Sequence, residues 1–395
     1  MISPGQATER GETAGKIALT VRRLTGMTGA STIVLEHARF LVSLGFAVDI
    51  FSETATPALV ASVGATSRRV RGFGLTDLQK RRSFAARVEE AVRAGGYMLS
   101  IGNGDLLHQD VVFLHNLIRR AHELIPGGSD RKVRTVGRVH DALLSGASFR
   151  LLVANSRMMK EDLVARYGIP PVRIAVVHPG SDLSRFSAAD KPGLRARARG
   201  ELGVREGELL VGLVTSGDFA KRGVKPFLEA VNALPGDLMA RTRVLVVGKE
   251  KNFASYGAAL TIEAMRSRVT HIPQEKRIER LFAALDLSVL PAYLEEFGLV
   301  VREAMAMGLP VLTTRNVGAS EILPDVQKPY VLPSNEPGML AEKMSELLRD
   351  AALRETLGRE NVRASAGSDW RTYNEAVCGQ YAALGLLPPR PGCSP

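Results

Sequence analysis

The sequence predicts an α/β protein made of two doubly wound parallel sheets, each a Rossmann-like domain, that face one another across a cleft. Short apolar runs alternate with segments of helical apolar spacing through most of the 395 residues, which is the pattern of parallel strands joined by helices. A chain of this length is too long for one ordinary core, so two domains are expected. The polar and charged stretch 181–208 separates the two series and suits a connection between domains.

The first series begins with a βαβ unit. Residues 17–21 are typical of a strand, 25–31 of a glycine-bearing loop, 32–44 of an apolar helix and 47–51 of a second strand. Further buried strands are indicated by apolar runs that end abruptly, at 111–114, 151–154 and 174–177. We assign residues 1–180 to an N-terminal domain.

The second series starts afresh with a strand at 209–214, a helix at 223–234 and a strand at 244–247. A further buried strand at 287–290 ends at Pro291. We assign residues 181–369 to a C-terminal domain, and the segment 370–384 has the apolar spacing of a closing helix.

Composition indicates a soluble globular protein, with 45% apolar residues and a mean hydropathy of +0.01. No apolar run approaches the roughly 20 residues of a membrane span, and the polar start of the chain, 1–16, lacks the apolar core of a signal peptide. Cys378 and Cys393 both lie in the C-terminal tail, where we expect them not to staple the fold, and they lack metal-site spacing. We therefore expect a cytoplasmic protein.

Positive charge is concentrated in the first half. Residues 1–180 hold 24 Lys+Arg against 15 Asp+Glu, whereas the remainder holds 28 against 26. Eight cations fall within 26 residues: Arg68, Arg69, Arg71, Lys80, Arg81, Arg82, Arg87 and Arg93. This cluster is either a solvated basic face or a contact with an anionic membrane, such as the inner face of the plasma membrane, or with a phosphorylated acceptor. Nucleic acid is not expected as a partner, because aromatic residues, which would stack on bases, make up only 5% of the chain.

The stretch 291–322, PAYLEEFGLVVREAMAMGLPVLTTRNVGASEI, carries the strongest functional signal. Phe297-Gly298 opens an apolar segment that Gly308 and Pro310 close, as at a helix. A helix N-terminus at the carboxyl end of a parallel strand is a natural seat for a phosphate. Glu295 and Glu303 flank this seat and can accept hydrogen bonds from sugar hydroxyls. The stretch therefore predicts a nucleotide-sugar site.

The spacing Glu295-x7-Glu303, with Phe297-Gly298 inside it and EAMAMGLPV after it, resembles the signature of the family 4 glycosyltransferases. Those are retaining enzymes of the GT-B fold that use nucleotide-sugar donors. The resemblance extends to VANS at 153–156 and PGSDLSRF at 179–186, and it is weakest between 55 and 150. It implies that the first domain binds the acceptor, that the second binds the donor, and that a tail helix, about 370–395, packs back onto the first. TSGDFAKRGV and LVVGKEKNFASYG look most similar to bacterial lipopolysaccharide-core glucosyltransferases.

The resemblance also implies a set of site residues. The catalytic candidates are His115, Glu295, Lys221 and Arg222, and the donor-binding candidates are Thr28, Gly29, Thr270, His271, Phe297, Gly298, Leu299, Val300 and Glu303. Two cations ahead of a helix suit a pyrophosphate, although the family usually places Arg before Lys and this chain has Lys221 before Arg222. Thr28 stands where the family has the first glycine of a Gly-Gly loop.

The resemblance implies a retaining hexosyltransferase that moves a hexose from a nucleotide sugar, with UDP favoured, to a cell-envelope glycolipid or lipopolysaccharide-core acceptor. The resemblance supplies no carboxylate on the far face of the anomeric carbon, so front-face substitution is expected rather than double displacement. The chain has no Asp-x-Asp, and we expect neither a metal nor a cofactor beyond the donor as co-substrate. The alternatives are a GT-B nucleotide-sugar epimerase, a sugar phosphorylase, and a non-catalytic membrane- or nucleic-acid-binding protein.

Overall fold

The computed structural model describes residues 14–26, 28–273 and 275–394, and it confirms the predicted fold class. Met27 in the first loop, Gln274 at the start of a predicted helix, and residues 1–13 lie outside the described residues. The expectation about a signal peptide falls largely on residues 1–13.

The first domain is built on a sheet of seven parallel strands. The strands of the first domain, including two that lie outside this sheet, are β1 (Lys16–Thr20), β2 (Arg23–Leu24), β3 (Ala47–Ser52), β4 (Thr54–Ala55), β5 (Thr66–Arg69), β6 (Leu99–Gly102), β7 (Val111–Phe113), β8 (Leu151–Ala154) and β9 (Ile174–Val176). The order is β5-β3-β1-β6-β7-β8-β9, with β2 and β4 forming a separate short pair. Its helices are α1 (Gly29–Ser43), α2 (Pro57–Ala61), α3 (Asp77–Ala94), α4 (Ile118–Leu124), α5 (Asp130–Lys132), α6 (Arg138–Gly146) and α7 (Arg157–Tyr167).

The second domain is built on a sheet of six parallel strands. They are β10 (Leu209–Gly217), β11 (Thr242–Lys249), β12 (Val269–Ile272), β13 (Leu287–Leu290), β14 (Val311–Thr314) and β15 (Val331–Leu332), in the order β12-β11-β10-β13-β14-β15. The helices are α8 (Lys191–Glu201), α9 (Val224–Asn232), α10 (Gly236–Met239), α11 (Glu263–Arg266), α12 (Ile278–Ala284), α13 (Leu299–Ala306), α14 (Pro337–Arg349) and α15 (Ala351–Ser365). Central strands such as β8 and β13 are buried along their whole length, as strands covered by helices on both faces must be.

The last helix, α16 (Trp370–Ala383), returns to the first domain and packs on α1. Its contact includes a buried polar chain centred on His37, whose Nδ1 lies 2.8 Å from Asn374 Oδ1 and whose Nε2 lies 2.9 Å from the Tyr381 hydroxyl. Burial lowers the pKa of His37 to about 4, so the ring is neutral. It donates through Nδ1 and accepts through Nε2, and this leaves no polar atom of the ring unsatisfied.

The two cysteines form a disulfide, so the expectation that they would not staple the fold is wrong. The chain turns back after α16, and both Cys378 and Cys393 are fully buried in the core of the first domain. Their position near the end of the chain concealed this contact, because nothing in the spacing predicts the reversal.

Reduction of this disulfide is expected to destabilise the packing of α16. A bridge that closes a loop of this length, with the cysteines 15 residues apart, stabilises a protein by about 3 kcal/mol in the chain-entropy model. Thermal unfolding with and without dithiothreitol tests this, because the chain has only two cysteines. The double variant Cys378→Ser/Cys393→Ser should lose the response to reductant, and an unchanged melting temperature in the wild type would contradict the prediction.

The chain passes between the domains twice, and the two crossings lie side by side. Ser181 donates its N–H to the Ser368 carbonyl at 3.1 Å and forms a parallel bridge with Asp369. A Cβ at Gly180 would lie 2.4 Å from the Asp369 carbonyl oxygen, so glycine permits this close approach. Within the described ranges, no helix combines the length and the apolarity needed to cross a membrane.

Candidate active site

Lys221 and Arg222 lie in the turn between β10 and α9, at the carboxyl end of the second sheet. Gly223 caps α9 with φ 71°, and a Cβ there would lie 2.0 Å from the Pro291 carbonyl oxygen. Tyr293 also donates its N–H to the Lys221 carbonyl at 3.0 Å. These contacts hold the turn after β10 against the loop after β13, which carries the two adjacent glutamates 295 and 296.

Each cation of this turn faces one carboxylate of the neighbouring loop. Lys221 Nζ lies 2.6 Å from Glu296 Oε2, and the Arg222 guanidinium contacts the Glu295 carboxylate. Burial lowers the pKa of both Lys221 and Arg222, and the Glu296 charge opposes that shift. The structure therefore brings three of the four catalytic candidates together in a partly buried set of paired charges. A diphosphate entering here would find cations whose positions are already fixed.

Glu296 is a site residue that sequence reasoning missed. Its Oε1 accepts from the Leu117 N–H at 2.8 Å, and its carbonyl accepts from Ser156 Oγ at 2.8 Å, so it joins the second domain to the first. Burial raises the pKa of Glu296, but Lys221 and the Leu117 N–H outweigh this and hold the pKa below its usual range. No spacing rule connects position 296 with 221 or 117, so only the fold could reveal this contact.

His115 lies at the carboxyl end of β7, the equivalent end of the first sheet. Its Nε2 is 2.8 Å from Asn103 Oδ1, and Asn103 donates its amide to the Thr20 carbonyl, which fixes the orientation of that amide. Nε2 therefore carries the hydrogen, and the buried Nδ1 has no protein partner among the described residues. Burial lowers the pKa of His115 to about 4, so the ring is neutral and Nδ1 can accept a hydrogen bond from a hydroxyl.

The segment 297–300 begins α13, with Gly298 at the N-cap and a φ of 98°. Leu299 reaches across to the first domain, since a Cβ at Gly29 would lie 3.4 Å from Leu299 Cδ1. Thr28 caps α1 by accepting the Ser31 N–H at 3.2 Å. The N-termini of α1 and α13 therefore approach each other, and the first N–H groups of any helix lack partners within the helix. Phe297 stacks on His178 with ring centroids 5.9 Å apart, while Val300 packs against the core of the second domain.

Glu303 lies one turn further along α13 and is half-buried. Burial, only partly offset by Arg185, raises the pKa of Glu303 to about 7. Its Oε2 accepts no hydrogen bond from the described residues. A ligand hydroxyl that donated to this carboxylate would supply the missing partner and favour the ionised form.

Glu303 is expected to make stability and UDP affinity depend on pH in opposite directions. Because its folded pKa is raised, its favourable contribution is present below pH 4.5 and is lost as the pH rises to about 7. Wild type should therefore lose stability relative to Glu303→Gln between pH 5 and pH 8 in urea unfolding. UDP affinity of the wild type, measured by calorimetry, should rise over the same interval with release of a proton. Parallel stability curves for the two proteins would contradict the assignment.

Thr270 and His271 lie on β12, two strands away from β10. His271 donates Nε2–H to the Gly248 carbonyl at 2.9 Å and stacks on Phe253 at 4.1 Å between centroids. Phe219, in the turn that carries Lys221, packs edge-on against the His271 ring, with the two ring centroids 5.7 Å apart. The structure therefore places Thr270 and His271 beside an aromatic group that adjoins the turn carrying Lys221 and Arg222. No hydrogen bond or ion pair of the described residues joins Thr270 or His271 to those two cations.

Polar contacts also close the two sides of the cleft. Lys132 Nζ lies 3.1 Å from Asp218 Oδ2, and Glu321 accepts both N–H groups at the start of α7 at 2.9 Å. Glu321 also pairs with His178 Nε2 at 2.9 Å. Sequence reasoning missed Lys132, Asp218 and Glu321. Over the residues described here, no group of three or more His, Cys, Asp or Glu side chains could hold a metal ion.

Comparisons with known proteins agree with this geometry. Residues 27–185 match the profile described as Glycosyltransferase Family 4, and residues 195–363 match the one described as Glycosyl transferases group 1. A D-inositol 3-phosphate glycosyltransferase from Mycobacteroides abscessus is 28% identical over 388 residues, with 89% of this chain and 84% of the relative covered. Another of the same name from Nocardia farcinica is 33% identical over 239 residues, covering 59% of this chain and 52% of the relative.

Solved structures show the same fold. WaaG, described as a glycosyltransferase involved in lipopolysaccharide biosynthesis, superposes with a TM-score of 0.77 at 22% identity, covering 92% of this chain and 99% of WaaG. HepE from Anabaena, in complex with UDP and glucose, gives 0.76 at 19% identity, covering 94% and 100%. The two profile matches span both domains. The turn with Lys221 and Arg222 and the adjacent Glu295 and Glu296 lie within the match over residues 195–363. The chain therefore belongs to the family 4 glycosyltransferases and has the GT-B fold.

Proposed function

We propose that the protein is a retaining hexosyltransferase that moves a hexose from a UDP-sugar to an anionic acceptor of the cell envelope. The observation that carries this proposal is the buried pairing of Lys221 and Arg222 with Glu296 and Glu295, together with a buried His115 Nδ1 that has no hydrogen-bond partner among the described residues. The solved relative HepE, whose structure contains UDP and glucose, supports the choice of donor.

The proposed chemistry is a front-face substitution. The bond from the anomeric carbon to the diphosphate oxygen breaks, and a bond from that carbon to the acceptor oxygen forms on the same face. The acceptor proton passes to the departing phosphate oxygen. Lys221, Arg222 and the N-terminus of α13 stabilise the negative charge that grows on the leaving group. Neutral His115 accepts a hydrogen bond from a donor-sugar hydroxyl and holds the sugar in place.

The anionic nature of the acceptor is proposed from the first domain. Arg131, Arg134 and Arg138 are exposed and have no carboxylate partner in the described part of the chain. They flank Lys132, which reaches Asp218 across the cleft. The sequence favoured a glycolipid or lipopolysaccharide-core acceptor, whereas the names of the curated relatives favour a phosphorylated cyclitol. Both acceptors can carry phosphate, and phosphate suits unpaired arginines.

The first test is a thermal-shift screen against UDP, GDP, ADP, TDP and their sugar conjugates. Selective stabilisation by UDP compounds is expected. The UDP-hexose that stabilises most is then incubated with inositol phosphates and with phosphorylated glycolipids, and the anomeric configuration of the product is read by NMR. Retained configuration supports front-face substitution, and inversion contradicts it. Full loss of activity in chelator contradicts metal-independent transfer.

The NMR and thermal-shift experiments together distinguish the alternative functions. A GT-B epimerase would change the configuration of the UDP-hexose without consuming an acceptor. A non-catalytic binding protein would give no thermal shift with any of the nucleotides, and that outcome would overturn the proposal.

A further inference from the structure

The loop between β5 and α3 presents two apolar side chains to solvent. Leu75 is 96% exposed and Phe73 is 57% exposed, and among the large apolar residues of the described chain Leu75 is the most exposed. Isolated surface apolar residues need no explanation, but two in one short loop form a small apolar tip.

Five exposed cations lie near this tip in the sequence, at the end of β5, in the loop itself and on α3: Arg69, Arg71, Lys80, Arg82 and Arg87. None of them has a salt-bridge partner among the residues that the structure describes, and Arg87 lies over the Phe73 ring at 4.9 Å. Two other cations of the sequence cluster are engaged, Arg68 with Asp49 at 3.0 Å and Arg81 with Asp77 at 3.0 Å. We call the two apolar and five basic residues the basic-apolar patch.

The loop is held in this conformation rather than left free. Thr76 caps α3 by accepting the Gln79 N–H at 3.2 Å, and Gln79 Oε1 accepts the N–H groups of Leu75 and Thr76 at 2.9 Å. Gly72 donates its N–H to Glu53 Oε1 at 3.3 Å. The backbone on both sides of the tip is therefore fixed, and the side chain of Leu75 projects into solvent from a braced turn.

The patch lies on the same side of the first sheet as the cleft, because it follows the carboxyl end of β5. Glu53, which binds Gly72, also pairs with Arg22 in the β1–α1 loop at 2.8 Å. A flat surface that contacted the patch would therefore lie beside the first-domain side of the cleft.

We propose that the basic-apolar patch docks on an anionic membrane surface, with Phe73 and Leu75 entering the headgroup region and the five cations facing lipid phosphates. Exposed apolar side chains ringed by unpaired Lys and Arg have the composition of interfacial membrane anchors. Nucleic acid fits less well, because Phe73 is already covered by Arg87 and is the only aromatic residue of the patch. The proposal goes beyond the transfer reaction and does not depend on it.

The test is co-sedimentation of the full chain with two kinds of vesicle, one of phosphatidylcholine alone and one that also contains about 30% phosphatidylglycerol. The second kind has the negative surface potential of an anionic leaflet. Binding is expected only to the anionic vesicles and should weaken as salt is raised. Phe73→Ser/Leu75→Ser should reduce the partition coefficient about tenfold. Val172→Ser, which removes an apolar side chain that is 88% exposed elsewhere in the same domain, should leave it unchanged.

Charge is tested by Lys80→Glu/Arg82→Glu, which should reduce binding at least tenfold at low salt, about fivefold for each basic residue near the surface. Arg205→Glu, an exposed cation of the second domain, serves as control and should have a much smaller effect. UDP-induced thermal stabilisation should be the same in all these variants, so failure of docking is separable from failure of the donor site. Equal vesicle binding by wild type and the patch variants, or binding to RNA without binding to vesicles, would overturn the proposal.

Discussion

Replacing Arg222 with methionine is expected to lower kcat/KM for the donor by about 10²–10³-fold, the effect of losing one preorganised group at a site of developing charge. The guanidinium contacts Glu295 and lies in the turn that also carries Lys221, so the variant removes one of two cations from the proposed diphosphate seat. UDP-induced thermal stabilisation should fall with it. Initial-rate kinetics with varied UDP-hexose measures the first effect.

The matched control for this variant is Lys225→Met. Lys225 lies in the first turn of α9, its side chain is 70% exposed, and its only ion pair is with Glu229 on the same helix in the described structure. We expect it to change kcat/KM by less than about twofold, because exposed ion pairs contribute little. Arg222→Met leaves the Glu295 carboxylate without its cation, so Arg222→Met/Glu295→Gln should be measured as well. If Arg222→Met kept a third or more of wild-type activity, its proposed role would be wrong.

Replacing Glu296 with glutamine is expected to destabilise the protein by about 3–5 kcal/mol, the usual result of removing one partner from a buried ion pair. Lys221 would remain buried without a counter-charge, and its pKa would fall further because the Glu296 charge that opposes the effect of burial would be gone. The donor KM should rise as the ammonium loses its proton at alkaline pH. Urea unfolding and the pH dependence of KM measure the two consequences.

Glu263→Gln provides the comparison for Glu296. The Glu263 side chain is 86% exposed and pairs with Arg266 on the same short helix, so its loss should change stability by less than about 0.5 kcal/mol. Lys221→Met/Glu296→Gln removes both charges of the buried pair and should recover much of the lost stability without recovering activity. A destabilisation of Glu296→Gln below about 1 kcal/mol would show that the buried Lys221–Glu296 pair contributes little to stability.

The fold class could be predicted because its evidence is local. The buried strand at 287–290, the Gly-Leu-Pro after α13 and the apolar spacing of α1 each reflect the backbone preferences of a few consecutive residues. The neighbourhood of Lys221, Arg222 and Glu295 followed from the same rules, since parallel strands place their carboxyl ends, and the loops after them, at one edge of a sheet. Their roles in transfer stay predictions until the variants above are measured.

What the sequence concealed are contacts between residues that are distant in the chain. Glu296 follows Glu295 directly, and only the packing of the two domains brings it to Leu117, 179 positions earlier. His37 meets Asn374 and Tyr381 because α16 returns to α1, and Cys393 meets Cys378 because the chain reverses after that helix. Such pairs depend on tertiary geometry, which neither residue propensity nor spacing encodes.

The adjacent crossings of the chain between the domains restrict how those domains can move. The two connecting segments are hydrogen-bonded to each other at Ser181 and Asp369. We therefore expect them to bend together about one axis and to resist twisting and sliding. The ion pair between Lys132 and Asp218, across the cleft, can break while the contact between Ser181 and Asp369 stays intact. We expect a sugar nucleotide to enter, and the spent nucleotide to leave, when the domains separate on that side of the cleft.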